Sequence, residues 1–175
     1  KGIMSLPVQN AKETHRKYGN PDNGRAIEAL FNAYLAKTIS IRDTSVRKRK
    51  KENFYHGILL GLLSHREDWY IRSNAESGDG FSDILMEIED EGIGIVIEVK
   101  YPGRPDSGRK PEKAGDAAEK SARARDEALE KGCLEALAQI EDLGYDAQLT
   151  LDGMDTIIKY GIACDRKRCR VMAVT

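Results

Sequence analysis

The chain has 175 residues, enough for one domain with a short leading segment and for a core that needs no staples. It is 40% apolar and 33% charged, with 28 Lys and Arg against 29 Asp and Glu, a net charge of −1, so any affinity for nucleic acid must come from local cationic clusters rather than the total. No apolar run reaches the roughly 18 residues that span a bilayer, no signal peptide is visible, and Cys133, Cys164 and Cys169 lack the CxxC spacing of a zinc knuckle or the even count of a disulfide framework.

The three cysteines read as reduced thiols of a cytoplasmic protein. The chain opens at Lys1 with no initiator methionine, as a fragment of a longer protein would. Residues 1–23, with Gly2, Pro7, Gly19 and Pro21, read as a linker from an upstream region. Asn23 then caps a predicted helix from Gly24 to Ile41, with Ile27, Leu30, Phe31, Tyr34 and Leu35 at helical spacing. This divides the chain into a leading segment, 1–46, and a main domain, 47–175.

The run Arg47-Lys48-Arg49-Lys50-Lys51 leads into a second helix, Glu52 to Leu63. That helix is apolar over most of its circumference, so it is expected to be largely buried, with Gly57 and Gly61 packed closely against a neighbour. From Trp69 the period changes to two. Strands are expected at 69–73, 82–88 and 93–100, with a turn at Ser77-Gly78-Asp79-Gly80 in which Asp79 serves the turn. Residues 101–115 read as a loop. A long amphipathic helix follows from Gly115 to Leu143, broken at Gly132, and then strands 156–164 and 168–174 around the turn Asp165-Arg166-Lys167. Tyr55 and Tyr145 read as core residues. The order predicts an α/β sandwich, helices flanking a mixed central sheet.

The hairpin of strands 82–88 and 93–100 carries the functional argument. Centring its turn on Asp90-Glu91 pairs Ile88 with Ile93, Met86 with Ile95 and Ile84 with Ile97 on one apolar face, and a one-residue slip destroys that match. The opposite face then pairs Glu87 with Gly94, Leu85 with Val96 and Asp83 with Glu98, with Lys100 two residues further on. Like charges directly across a sheet repel. Lys100 offsets part of that, and a divalent cation would offset the rest. On spacing alone the three residues fit either a solvated salt-bridge cluster or a metal site.

Asp83, then fourteen residues, then Glu98-Val99-Lys100 resembles the PD-(D/E)xK nuclease signature, with Ser82 where the signature has proline. Glu52 to Gly57, Glu76 to Gly80, Ile97 to Lys100, Gln139-Ile140 with Tyr145, and Ile158 to Ala163 together resemble one bacterial group. In that group such a domain follows an AAA-ATPase-like domain in the same polypeptide. The resemblance implies a restriction-endonuclease-like core of order α-β-β-β-α-β. It also implies Mg²⁺ or Mn²⁺ held by Asp83, Glu98 and Glu52, with Lys100 and Gln139 completing the catalytic set.

Glu52 fits equally a charge at a helix N-terminus, Gln139 a surface amide, and His56 a hydrogen-bonded structural residue. Lys48, Lys50, Lys110 and Lys113 are the candidate nucleic-acid contacts: the basic run with Lys48 and Lys50 forms one wall, and Lys110 and Lys113 with Lys120, Arg123 and Arg125 form the other. The function expected is hydrolysis of nucleic acid, DNA first, with a homodimer as one possible state. The competing readings are a non-catalytic module that docks with an ATPase and a nucleic-acid binder without hydrolysis.

Overall fold

The structure, a computed structural model, describes residues 21–40, 48–77, 80–103 and 114–175. Its elements are α1 (Pro21–Thr38), α2 (Lys48–Leu63), β1 (Tyr70–Ser77), β2 (Gly80–Ile88), β3 (Ile93–Lys100), α3 (Ala114–Asp142), α4 (Ala147–Leu151), β4 (Thr156–Asp165) and β5 (Arg168–Val174). A 3-10 turn, Glu89–Glu91, joins β2 to β3.

The five strands lie in sequence order in one sheet. All neighbours are antiparallel except β3 and β4, which run parallel because α3 and α4 carry the chain between them. The β2–β3 register is the one the isoleucines dictate: Ile88 meets Ile93, Met86 meets Ile95 and Ile84 meets Ile97. Those six side chains form the floor of the larger core, which α1 and α2 roof with Phe31, Leu35, Tyr55, Leu59 and Leu63. Each fully buried side chain of this kind contributes about 1.5–3 kcal/mol, so register and roof are selected together. On the other face Leu85 and Val96 pack under α3 and α4, against Leu137, Ile140, Tyr145 and Leu149.

Helix α1 closes the sheet's β5 edge. The Asn32 amide donates to the Cys169 carbonyl at 3.0 Å and its oxygen accepts from the Cys169 N–H at 2.7 Å. Glu28 accepts from the Val171 N–H at 3.0 Å. Side chains therefore satisfy outward backbone groups that a bare edge would leave open to another strand.

Several expectations need correction. Helix α1 starts at Pro21 and ends at Thr38, because proline suits a first helical turn. Helix α2 starts at Lys48, so most of the basic run lies inside it. Its buried stripe is narrow, Tyr55, Leu59 and Leu63, and nothing lies within 4 Å of where a side chain on Gly57 or Gly61 would begin. The glycines therefore mark no close packing. Helix α3 runs unbroken through Gly132, which is there for proximity: a Cβ on it would come within 2.9 Å of the Ala163 Cβ, and one on Gly161 within 2.4 Å of the Cys133 carbonyl oxygen. The short α4 has no counterpart among the expected elements. All three cysteines are free and buried. Among the described residues no helix is long and apolar enough to cross a membrane.

Candidate active site

The site lies at the end of the hairpin remote from its turn. Backbone pairing of β2 and β3 runs as far as Ile84–Ile97. Asp83 and Glu98 occupy the next step, but side chains take over from the ladder there. Asp83 Oδ2 accepts from the Val99 N–H at 2.7 Å, and Glu98 Oε2 accepts from the Asp83 N–H at 3.4 Å. The two acids are thus adjacent, as the register required, each held by a backbone group of the other's strand.

Lys100 Nζ donates to Glu98 Oε1 at 2.8 Å and to Gln139 Oε1. Gln139 reaches from α3, and its Nε2 donates to the Tyr145 hydroxyl at 3.0 Å. An ammonium only donates, so Lys100 itself requires the amide oxygen to face it, and the hydroxyl of Tyr145, able to accept, takes the other end. Tyr145 is a core residue, 1% exposed, and a polar partner as well. The close α3–β4 crossing at Gly161 brings α3 against the sheet.

On the other flank, the β1–β2 pairing skips Asn74, opposite Asp83, where Asn74 takes a left-handed φ of 48°. Asparagine tolerates that conformation better than most residues. His56 Nε2 lies 3.0 Å from the Asp83 carbonyl and 3.1 Å from Ser73 Oγ. A carbonyl only accepts, so Nε2 carries the proton. His56 is hydrogen-bonded as expected, and what it steadies is the backbone of Asp83.

Burial dominates the electrostatics. Glu98 is 3% exposed, and burial, then the neighbouring Asp83, push its carboxyl up to about 7 despite Lys100. Burial also raises Asp83, helped by Glu52 and opposed by the Val99 N–H, His56 and Lys100. Glu52 Oε1 accepts from the Tyr101 N–H at 3.1 Å. Among the described residues no three His, Cys, Asp or Glu side chains stand ready-made as a metal-ligand group.

Lys48 and Lys50 fall in the first turn of α2, but their side chains lie outside the described set, as do residues Lys110 and Lys113 altogether. Lys120 and Arg123 are exposed on α3, and Arg125 is paired with Asp165 at 3.2 Å. Asp165 and Tyr101, which no motif singled out, join the site's border through hydrogen bonds. The only signal for Tyr101 was its place directly after Lys100.

A mixed five-stranded sheet between helical layers, with two acids and a lysine at one end of its second and third strands, is the restriction-endonuclease-like architecture. The family model of the PD-(D/E)XK nuclease superfamily matches residues 50–174, and the chain belongs to that superfamily. No curated protein and no solved structure matches it significantly.

Proposed function

We propose that the chain is a metal-dependent nuclease that hydrolyses phosphodiester bonds, with DNA as the substrate. The observation that carries this reading is the cluster at the hairpin's end: Asp83, Glu98 and Lys100 are joined directly, in a position where burial makes two neighbouring carboxylates costly. A divalent cation relieves that cost. The donors are all carboxylate oxygens, which suit Mg²⁺ or Mn²⁺ rather than a soft metal.

Asp83 and Glu98 would hold the ion, and Glu52 is the third carboxylate that the resemblance implies. When bound, such an ion would supply an activated water and charge neutralisation at phosphate oxygens. The chain's own residues do the rest. Lys100 provides a fixed ammonium charge for the negative charge that develops on phosphate. Gln139, held by Tyr145, keeps that ammonium from swinging away. Lys48, Lys50, Lys110 and Lys113 hold the phosphate backbone. An AAA-ATPase-like domain upstream in the same polypeptide is the partner that the resemblance implies.

The test is a cleavage assay on plasmid, linear and single-stranded DNA, with Mg²⁺ and with EDTA. Mg²⁺-dependent cutting that Lys100→Ala abolishes supports the reading. A Lys100→Ala protein that cuts as fast as the unaltered one sinks it.

A further inference from the structure

Cys164 and Cys169 stand directly across from each other in the β4–β5 hairpin, one step from its turn. The hydrogen bonds of Cys169 say what kind of pair this is. Its backbone N–H donates to Asn32 Oδ1 at 2.7 Å, and its carbonyl accepts from Asn32 Nδ2 at 3.0 Å. Both groups therefore point out to α1 and away from β4. Val171, two residues on, likewise turns its N–H outward, to Glu28 Oε2 at 3.0 Å. Cys164 and Cys169 are thus a non-hydrogen-bonded pair, the narrow kind, whose Cα atoms lie about 4.5 Å apart. A disulfide accepts Cα separations of about 4.4–6.8 Å.

The third cysteine is on the other side. Ala163 packs with Cys133 under α3, so Cys164, the next residue of β4, faces the opposite way, into the core that α1 and α2 roof. Cys169 lies in that same core. The sheet separates the pair from Cys133, whose Sγ donates to the Arg170 carbonyl at 3.2 Å. Cys164 is fully buried and Cys169 is 3% exposed. Cys169 Sγ donates to the Glu28 carbonyl at 3.9 Å, so α1 lies over the sulfur nearer the sheet's edge. Burial raises both thiols, which keeps them protonated while that cover is in place.

We propose that Cys164 and Cys169 form a reversible cross-strand disulfide when a peroxide reaches them past α1, and that Cys133 takes no part. The two-electron oxidant is hydrogen peroxide. One thiolate attacks a peroxide oxygen, the O–O bond breaks, and a sulfenic acid and a water result. The other sulfur displaces hydroxide from the sulfenic acid, and the hydroxide leaves as a second water with the remaining thiol proton. Two thiols and one peroxide give one disulfide and two waters. The Cβ atoms of such a pair start near about 4.5 Å, against about 3.8 Å in a relaxed disulfide. Closure draws β4 and β5 together and leaves a bond that thiols reduce readily. None of this depends on the nuclease reading.

The experiment exposes the folded 175-residue chain to hydrogen peroxide, blocks the remaining thiols in denaturant and maps the tryptic peptides without reduction. Trypsin puts Cys164 in Tyr160–Arg166, Cys169 in Cys169-Arg170 and Cys133 in Gly132–Lys159. The first two are expected to be joined, with a loss of about 2 Da from the intact chain, Cys133 alone blocked, and full reversal by dithiothreitol. A link to Gly132–Lys159, or all three cysteines blocked with no loss of mass, overturns the proposal.

Asn32→Ala tests the route, because it releases the grip of α1 on the Cys169 backbone. It is expected to speed closure several-fold through local opening, while alkylation of Cys133, on the opposite face under α3, keeps its rate. Equal speeding of both means general loosening, and an unchanged rate of closure means that α1 is not the cover; either overturns access past α1. Should Asn32→Ala fail to fold, Asn32→Asp keeps the acceptor for the N–H, removes the donor to the Cys169 carbonyl, and is read by the same two rates.

Discussion

One face of the β2–β3 hairpin buries a glutamate at each end, and the two ends treat it differently. At the turn end Glu87, 7% exposed, meets Arg72 from β1, whose guanidinium also reaches Asp152 Oδ2 at 2.8 Å. The hydrogen bond from Arg72 holds the Asp152 carboxyl below its usual range, while burial raises Glu87. At the site end Glu98 has a second acid, Asp83, against it, and both carboxyls are raised. A guanidinium fork can serve two carboxylates at once, whereas an ammonium is a point charge. Each end sets one cation against two carboxylates, but Arg72 contacts both of its acids while Lys100 contacts Glu98 and not Asp83 among the described pairs. Asp83 is left with a backbone N–H for its charge, and that is the physical case for a bound cation.

The largest expected effect separates the two glutamates directly. Glu98→Gln should lower the rate of Mg²⁺-dependent cleavage on the order of a thousandfold, about 4 kcal/mol of barrier, because it removes a metal-holding oxygen. Glu87→Gln should leave cleavage intact and cost about 1–2 kcal/mol of stability, because Arg72 loses a buried charge partner. Cleavage rates and urea unfolding of both variants settle it. Activity lost at Glu87 and kept at Glu98 would invert the comparison.

The second effect concerns stability against pH without metal. The Glu98 carboxyl lies near 4.5 when unfolded and is pushed up to about 7 when folded. Between those values the folded chain binds more protons than the unfolded one, so stability falls as pH rises through the window and levels off above it. The loss is on the order of 1–2 kcal/mol, since Asp83 and Lys100 share the titration. Glu98→Gln should remove this fall, making the variant the more stable protein at about pH 8 in EDTA, and Mg²⁺ should restore the unaltered chain there. Urea midpoints at about pH 5.5 and 8 measure it. A Glu98→Gln protein whose stability falls with pH as steeply as the unaltered one would show that the site end carries no such charge cost.

The same contrast explains what was legible in the sequence. Ile84, Met86 and Ile88 facing Ile97, Ile95 and Ile93 left one register open, and that register alone put Asp83 beside Glu98. Periodicity and adjacency sufficed because strand neighbours are set by two-residue counting. Gln139 was reachable only through the resemblance, since its approach to Lys100 depends on how closely α3 crosses Gly161. The grips of Asn32 and Glu28 on β5, and of Asp165 on Tyr101, span more than sixty residues each and leave no local pattern. Gly57 and Gly61 misled for a related reason: glycine signals a missing side chain, and only the fold says whether something fills the space.

The smallest effect tests whether the site end is also the end that meets phosphate. Glu52 touches Tyr101 and His56 touches Asp83, so the N-terminal half of α2 lies at the site end. Its first turn carries Lys48, Arg49, Lys50 and Lys51 with no acid among them. Cations at the positive end of a helix dipole each cost a few tenths of a kcal/mol, a cost that bound phosphates would offset. Lys48→Glu with Lys50→Glu should therefore weaken DNA binding and flatten its dependence on salt by nearly two in the log–log slope, about 0.9 for each phosphate no longer neutralised. Cleavage at saturating DNA should change little, because neither side chain belongs to the metal-holding set. Binding isotherms across a salt series read the slope. If it does not move, the first turn of α2 is not a phosphate wall, and its cations are a solvated stretch that happens to border the acids.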